Sequence, residues 1–568
     1  MCGIAGFIDK KNKLTAGGQK KIVRAMLEKI KHRGGDAVGV EIKGSVAIGH
    51  TRLSIVDTSD RANQPMIDGE FVLSYNGEIY NHIKLRETYL KNKDISSYSD
   101  TATLFELLKT LSLPKVLSSI QGMFAFSFLD DAKQTFFLAL DKQAIKPLYY
   151  LETPEYFAWS SEVKAFQVLP HFKFDFDDEL LKEYLIFRYI AGEKTLFKGI
   201  QKIQAGEYLA YSLNENSYKR KTYSLLEKTP TPSQISLEKI LEQSVREHMM
   251  SDAPVGVQLS GGVDSSIVAI FAKKYANSRL HTFSIGLEDP KWNEFIYSDK
   301  IAELLGTEHH KIIFTKQDFS RLFEKLTYHL DEPIVHPNTI PMYLLAKEAR
   351  SYTKVLLTGE GADEVFLGYN RYLQKDASDL VFSNAFSATS DISKLLKNDK
   401  PLNVSKRKEI LKGTKLLDKN DTKSFYDIYT YLPHVLLRQD KAGMAANIEN
   451  RVPFLYDPVV QYGFNLNRKI EKLGGKTPVK KIALKYLPED LVLRKKCGFG
   501  LPIVDWLREE EALLPKLLKM ESHPIIKKYF VASEIKNLIE EHLSKEKDNS
   551  IILFSILSLI VWYDIFFA

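Results

Sequence analysis

The chain has only two cysteines, Cys2 and Cys497, in 568 residues. That excludes a disulfide framework and fits a reducing compartment, so a cytoplasmic protein is expected. An excess of one charge sign is also missing: Lys plus Arg total 79 and Asp plus Glu 72, a net +7. Over this length so small an excess gives no footprint for nucleic acid, and no basic-aromatic stripe appears. The N-terminal segment lacks an apolar core, so no secretory leader is expected. Internal repeats and long low-complexity tracts are absent. The most apolar run, residues 551–563, stops before Asp564. A bilayer needs about 20 apolar residues, so a packed core helix is expected there and no membrane span. What remains is 44% hydrophobic and 27% charged, an ordinary globular composition long enough for two to four domains.

Residues 255–266 supply the strongest local pattern. Small and apolar residues, Val255 to Leu259, run into Ser260, Gly261 and Gly262, then Val263, Asp264, Ser265 and Ser266, with a helix-like run over 267–274. A buried parallel strand, a tight turn and a helix start are predicted. Glycines there let backbone N–H groups approach a ligand, and a helix start favours negative charge, so the turn suits phosphate. Asp264 would repel phosphate unless a divalent cation sits between them. No Gly-Lys-Ser/Thr follows this turn, which excludes a Walker loop. A second strand, 354–357, ends in Thr358, Gly359, Glu360, Gly361, Ala362, Asp363 and Glu364. Asp264 and Asp363 form a candidate Mg²⁺ pair, and Glu360 is a candidate for handling a proton or an ammonium. Strands at 281–286 and 311–314 alternate with helical stretches, predicting a doubly wound parallel sheet.

The N-terminal third has another chemistry. Cys2 follows Met1; once Met1 is removed, an α-amine titrating near pH ~8 stands beside the thiol and can activate it. The alternative is a small apolar cysteine starting an edge strand. Residues 32–36 are expected as a polar loop, and 49–57 as a strand carrying Arg52. Residues 71–80 are expected as a β-hairpin turning at Asn76-Gly77 in a type I′ turn. In a functional reading, the Asn76 side chain and Gly77 N–H also face an oxyanion. Asp100 is expected at or near the cap of a helix running to Leu108.

The turn at 260–266 resembles the pyrophosphate loop of the ATP pyrophosphatases, which split ATP between the α- and β-phosphates. The N-terminal residues resemble class II glutamine amidotransferases, as do Gln121 to Phe126 and Ile145 to Tyr150. With 437–445, 449–455, Lys476 and 494–500, nearly the whole chain resembles the glutamine-hydrolysing asparagine synthetases of bacterial B type. This resemblance implies an α+β N-terminal nucleophile-hydrolase (Ntn) sandwich at 2–206 and a linker at 207–236. It implies an α/β doubly wound ATP-pyrophosphatase domain with a helical C-terminal part at 237–568. Cys2 would be the nucleophile, with Asn76 and Gly77 as oxyanion hole. Arg52, Leu53, Ser54, Ile55, Val56, Glu78 and Asp100 would hold glutamine. Leu259, Ser260, Gly261, Gly262, Asp264, Ser265, Ile285, Thr358 and Gly359 would bind ATP. Asp264 and Asp363 would ligate Mg²⁺, Glu360 would act near the acyl centre, and Lys476 would neutralise phosphate charge.

The implied partners are glutamine and aspartate or another small carboxylic acid, with neither nucleic acid nor membrane. A homodimer is one assembly open to the family. The chain departs from the family pattern at Gly35, Ala102, the 140–144 loop, Leu367, Gly443, Tyr456 and Lys480. None of these removes an implied catalytic group, but several bear on which carboxylate is accepted. The alternatives are therefore amidation of a sugar uronate or peptide carboxylate, use of free ammonia, and a catalytically silent nucleotide-binding regulatory protein. Cys497 is expected to be a structural thiol.

Overall fold

All seven residues of the strand Gly3–Asp9 are buried, which requires cover on both faces and both edges. The computed structural model supplies it, describing residues 2–229, 235–373, 379–414, 417–466, 475–495 and 500–568. Gly3–Asp9 is a central strand, paired antiparallel with Val46–Arg52 on one side and Tyr156–Ser160 on the other. Cys2 therefore leads into the middle of a sheet and not an edge. Six antiparallel strands make this sheet, and six more make a second one. Ile4, Ile48, Phe157 and Trp159 of the first meet Val72, Ala125, Phe136 and Leu138 of the second in a shared core. The helix Ala16–Lys29 covers the outer face of the first sheet, and Asp100–Thr110 covers the second. The result is the expected sandwich.

Three local expectations need correction. Asn76 and Gly77 do not form a turn: they lie inside the continuous strand Phe71–Ile79, opposite Ala125 and Phe124. A Cβ at Gly77 would lie 2.1 Å from the Met123 carbonyl oxygen, so glycine is required there by the neighbouring strand's approach. Residues 207–222, placed in the linker, form Glu207–Ser212 and Ser217–Thr222, the outer hairpin of the second sheet. Their polar composition reflects a half-solvated edge strand. Residues 32–36 are not simply a polar loop, because Arg33 is fully buried.

The second domain holds a five-stranded parallel sheet in the order Glu308–Ile313, His281–Gly286, Val255–Gln258, Val355–Leu357, Glu449–Arg451. The chain builds outward from Val255–Gln258 on one side and then crosses to the other. Strand order thus reverses between Val255–Gln258 and Val355–Leu357, where crevices form in such sheets. The Glu449–Arg451 strand was not anticipated, since its three residues are all polar.

The C-terminal helix Ser550–Phe567 has a mean hydropathy of 2.1, and 67% of it is buried inside the protein. It is long and apolar enough to cross a membrane, yet its side chains are spent internally. Trp562 Nε1 donates to the Asp331 carbonyl at 3.0 Å, Ser558 to the Ile334 carbonyl at 2.7 Å, and Phe176 and Phe197 flank the indole. Trp562→Ala should therefore cost about 3–5 kcal/mol, the range for truncating a buried aromatic. Urea titration of the full chain followed by circular dichroism measures this; a loss below about 1 kcal/mol would show that the helix lies outside the cooperative core.

Candidate active sites

In the first domain, Cys2 borders a cavity of about 30 Å³ walled by Arg52, Leu53, Ile55, Val56, Gly77, Glu78 and Asp100. The Cys2 backbone N–H donates to Asn76 Oδ1 at 3.0 Å. Asn76 is fully buried and its Nδ2 has no acceptor, leaving a donor beside the thiol of the kind an oxyanion uses. Burial pushes the Cys2 thiol up, while the Leu53 backbone and Arg52 act in the opposite direction. Arg52 is held by the Ser59 carbonyl at 2.9 Å, Asn63 Oδ1 at 2.8 Å and the Asp57 carbonyl. Asp100 Oδ2 accepts from Tyr75 OH at 2.7 Å and from the Ile79 N–H at 2.9 Å. A fixed cation and a fixed carboxylate on one small cavity suit a zwitterion. Ser54 lies off these walls, its N–H donating to Asp36 Oδ2 at 2.8 Å.

The second site is a cavity of about 1120 Å³ at the strand-order reversal. Leu259, Ser260, Gly262, Asp264, Ser265, Ile285, Thr358, Gly359, Glu360, Asp363 and Lys476 all line it. Gly261 does not: it turns with φ +76°, and its carbonyl accepts from Arg494 at 3.0 Å. The Ser260 and Ser265 hydroxyls lie 3.0 Å apart, and Ser260 Oγ accepts the Gly262 N–H at 3.3 Å, so the turn is shaped before any ligand arrives. Lys476 Nζ bridges Asp264 at 2.5 Å and Asp363 at 2.7 Å. Burial disfavours this ammonium, but the two carboxylates keep it charged. Lys476 itself adopts φ +61°, a left-handed conformation that costs a lysine about 1 kcal/mol or more. Gly368 allows the approach, since a Cβ there would sit 2.1 Å from both Asp363 Oδ1 and Lys476 Cε. Two convergent carboxylates are hard oxygen donors of the type Mg²⁺ takes.

Sequence reasoning gave no role to Arg438, which donates to Asn338 Oδ1 at 2.8 Å and to Glu360 at 3.2 Å and so orients Glu360 inside the cavity. It also missed the polar contact between domains. Arg451 donates to Glu449 at 2.6 Å and pairs with Glu78, a wall of the Cys2 cavity, at 3.2 Å. Burial raises the Glu78 carboxyl well above its usual range, whereas the N-terminal ammonium, Arg451 and Lys146 together overcome burial at Glu449 and hold it low. Arg33 donates to the Cys2 carbonyl at 3.1 Å, to Glu162 at 2.9 Å and to Asp440 of the second domain at 2.8 Å. No local pattern marked either arginine, because their partners lie far away in the chain. Cys497 and the residues around it, 496–499, lie outside the described residues, as does the stretch 230–234.

Residues 236–564 match the family described as asparagine synthase, and residues 1–224 match the glutamine amidotransferase domain. Asparagine synthetase (glutamine-hydrolyzing) 1 of Bacillus subtilis is 30% identical, over 100% of this chain and 97% of that protein. Asparagine synthetase B (glutamine-hydrolyzing) of Escherichia coli is 30% identical, over 90% of this chain and 85% of its own length. A putative asparagine synthetase (glutamine-hydrolyzing) 2 of Methanocaldococcus jannaschii is 31% identical, over 67% of this chain and 78% of that protein.

Glu364, beside Asp363, gives this region a pH dependence. Burial and the charge of Asp363 push its carboxyl from 4.5 up to about 8, although Tyr369 OH donates to it at 2.6 Å. Between those two values the folded chain holds a proton that the unfolded chain has lost. This group's contribution to stability is therefore full below pH 4.5 and declines as pH rises towards about 8. Glu364→Gln should flatten that decline in urea titrations across the window. An unchanged slope would mean that Glu364 is ionised in the folded protein.

Proposed function

The chain belongs to the asparagine synthase family, joined here to a glutamine amidotransferase domain, and from that premise we propose that it converts aspartate to asparagine. The overall reaction takes glutamine, aspartate, ATP and water to asparagine, glutamate, AMP and pyrophosphate. The observation that carries the reading is the meeting of Asp264, Asp363 and Lys476 where strand order reverses. A buried Cys2–Asn76 pair in the same chain completes it.

With Met1 removed, the Cys2 α-amine takes the thiol proton, and the sulfur attacks the side-chain amide carbon of glutamine. Asn76 Nδ2 and the Gly77 N–H stabilise the oxyanion, while Arg52 and Asp100 hold the substrate's charged ends. Ammonia leaves with the transferred proton, and water then hydrolyses the γ-glutamyl thioester. In the second domain the aspartate β-carboxylate attacks the α-phosphate of ATP, and pyrophosphate departs. Lys476 offsets charge growing on the phosphates. Mg²⁺, held by Asp264 and Asp363, would screen the phosphate oxygens when bound. Ammonia attacks the acyl-adenylate, Glu360 takes the proton it loses, and AMP leaves. Activation of this kind is needed because a free carboxylate has no adequate leaving group. A cytoplasmic setting is part of this proposal. Another carboxylic acid is the competing acceptor, because Leu367, a departure from the family pattern, lies on the cavity wall.

Incubation with glutamine, Mg-ATP and aspartate should yield asparagine, AMP and pyrophosphate in equal amounts. No asparagine at millimolar aspartate, alongside normal glutamine hydrolysis, would transfer the reading to a uronate or peptide acceptor. Cys2→Ala should abolish glutamine-dependent synthesis and leave ammonia-dependent synthesis largely intact. Glutaminase activity surviving in that variant would overturn the role of Cys2.

A further inference from the structure

Away from both sets of candidate catalytic residues, three side chains with metal-binding chemistry meet at the start of the parallel sheet's edge strand and of its neighbour. His281 opens one strand, Glu308 opens its neighbour, and the two are register partners. His310 follows Glu308 by two residues, so it projects from the same face. His281 Nδ1 lies 3.1 Å from His310 Nε2, 3.8 Å from Glu308 Oε1 corresponds to the second edge, and His310 Nε2 to Glu308 Oε1 is 3.9 Å. Among the described residues this is the group in which three His, Cys, Asp or Glu side chains bring ligand atoms within 4.8 Å of one another.

The neighbouring histidine shows what an internally satisfied imidazole looks like here. His309, on the opposite face, meets Thr282 Oγ1 at 2.9 Å through Nδ1 and Ser284 Oγ at 2.9 Å through Nε2. The His281 and His310 nitrogens instead face each other, so one proton at most lies between them. Phe283 and Tyr352 pack against the His310 ring, at 4.9 Å and 4.1 Å between centroids, and hold its orientation.

We propose that His281, Glu308 and His310 form a binding site for a divalent transition-metal ion, Zn²⁺ in the first instance. Two imidazoles and one carboxylate match the donor preference of Zn²⁺ and not that of Mg²⁺, which takes oxygen ligands. Bonds of about 2.0–2.1 Å set ligand atoms about 3.3 Å apart in a tetrahedron. The histidine pair is already close to that spacing, and the Glu308 carboxylate needs to move inward by about 0.5 Å. Its side chain is 44% exposed, so it has room to do so. Solvent would fill the remaining position. The nucleotide cavity meets these strands at Phe283, Ser284 and Ile285, two to four residues beyond His281, or roughly 7–13 Å along the strand at 3.3 Å per residue. The ion would therefore clamp the edge strand Glu308–Ile313 to the strand His281–Gly286 and take no part in amide formation.

The test uses the full chain with Cys2→Ser and Cys497→Ser, so that no thiol competes for metal, stripped with EDTA and free of ATP and glutamine. Equilibrium dialysis against buffered Zn²⁺ should give one bound ion at micromolar free metal. Binding should weaken at least about tenfold in His310→Gln and in His281→Gln, and should persist when Asp264→Asn and Asp363→Asn are added. Zn²⁺ should raise the Tm of the parent and not of the histidine variants. Circular dichroism and ammonia-dependent pyrophosphate release, unchanged in the histidine variants, verify that they fold. Equal Zn²⁺ binding in parent and His310→Gln, or no binding by the parent at micromolar free metal, would overturn the site. Neither result bears on the amidation chemistry, because the binding measurement contains neither ATP nor glutamine.

Discussion

The guanidinium of Arg33 is fully buried, and its donors reach the Cys2 carbonyl, Glu162 and Asp440. Taking such an ion out of water costs several kcal/mol, so it is tolerated only where every partner is in place. One partner is the backbone of the candidate nucleophile, and another belongs to the helix Leu432–Ala445 of the second domain. The geometry at Cys2 thus depends on the two domains being docked. Around this group lie further buried partners: Lys146 facing Asp440 at 3.7 Å, Lys164 and Lys441 on Asp331 at 2.9 and 2.7 Å. Domain contacts made of sliding apolar patches allow relative motion, whereas a set of buried charges with one matching arrangement resists it. The Glu78–Arg451 pair extends the same logic from the Cys2 cavity wall into the parallel sheet.

At the second site a comparable constraint acts on the loops. Two carboxylates approaching a common point would repel each other without a cation, and the Lys476 ammonium supplies one. Holding it there places a lysine in a left-handed backbone conformation and requires a glycine at Gly368. Strain concentrated at one cavity, with no packing benefit of its own, fits a role in binding and not in folding. The Ser260–Ser265 contacts similarly fix the first loop in advance, so less ordering remains for a ligand that enters the cavity.

Much of this was legible in the chain, for identifiable reasons. The strand His281–Gly286 coincides with its expected bounds because Thr282, Phe283 and Ile285 favour a strand and Gly286 ends it. The loop residues were legible because glycine and aspartate at strand ends have few other uses. Asn76-Gly77 misled because the same dipeptide serves a tight turn and a close strand approach, and only the position of Met123 distinguishes them. Arg33 and Arg451 were opaque for a different reason. Their partners lie 129 and 407 residues away for Arg33 and hundreds away for the Arg451–Glu78 pair. Pairing of that range leaves no local pattern.

The departures from the family pattern divide in the same spatial way. Tyr456 donates to Gln121 at 2.8 Å across the domain boundary, and its neighbour Asp457 takes Lys142 at 2.5 Å and Gln143 at 3.2 Å from the 140–144 loop. The unusual residues at 140–144 and at 456 are thus in one interface, so a change on one side has its counterpart on the other. Gly443 is confined by Asn450, whose Nδ2 would lie 2.2 Å from an added Cβ, and it does not line the large cavity. Lys480 lines that cavity, where burial and the charge of Lys476 lower its pKa. Leu367 lines it as well, in a left-handed conformation at φ +58° that a leucine adopts only under constraint. Of the departures at 367, 443 and 456, only Leu367 lines the large cavity. The substitutions at 443 and 456 act on packing and docking, which leaves Leu367 and Lys480 as the departures on this cavity wall.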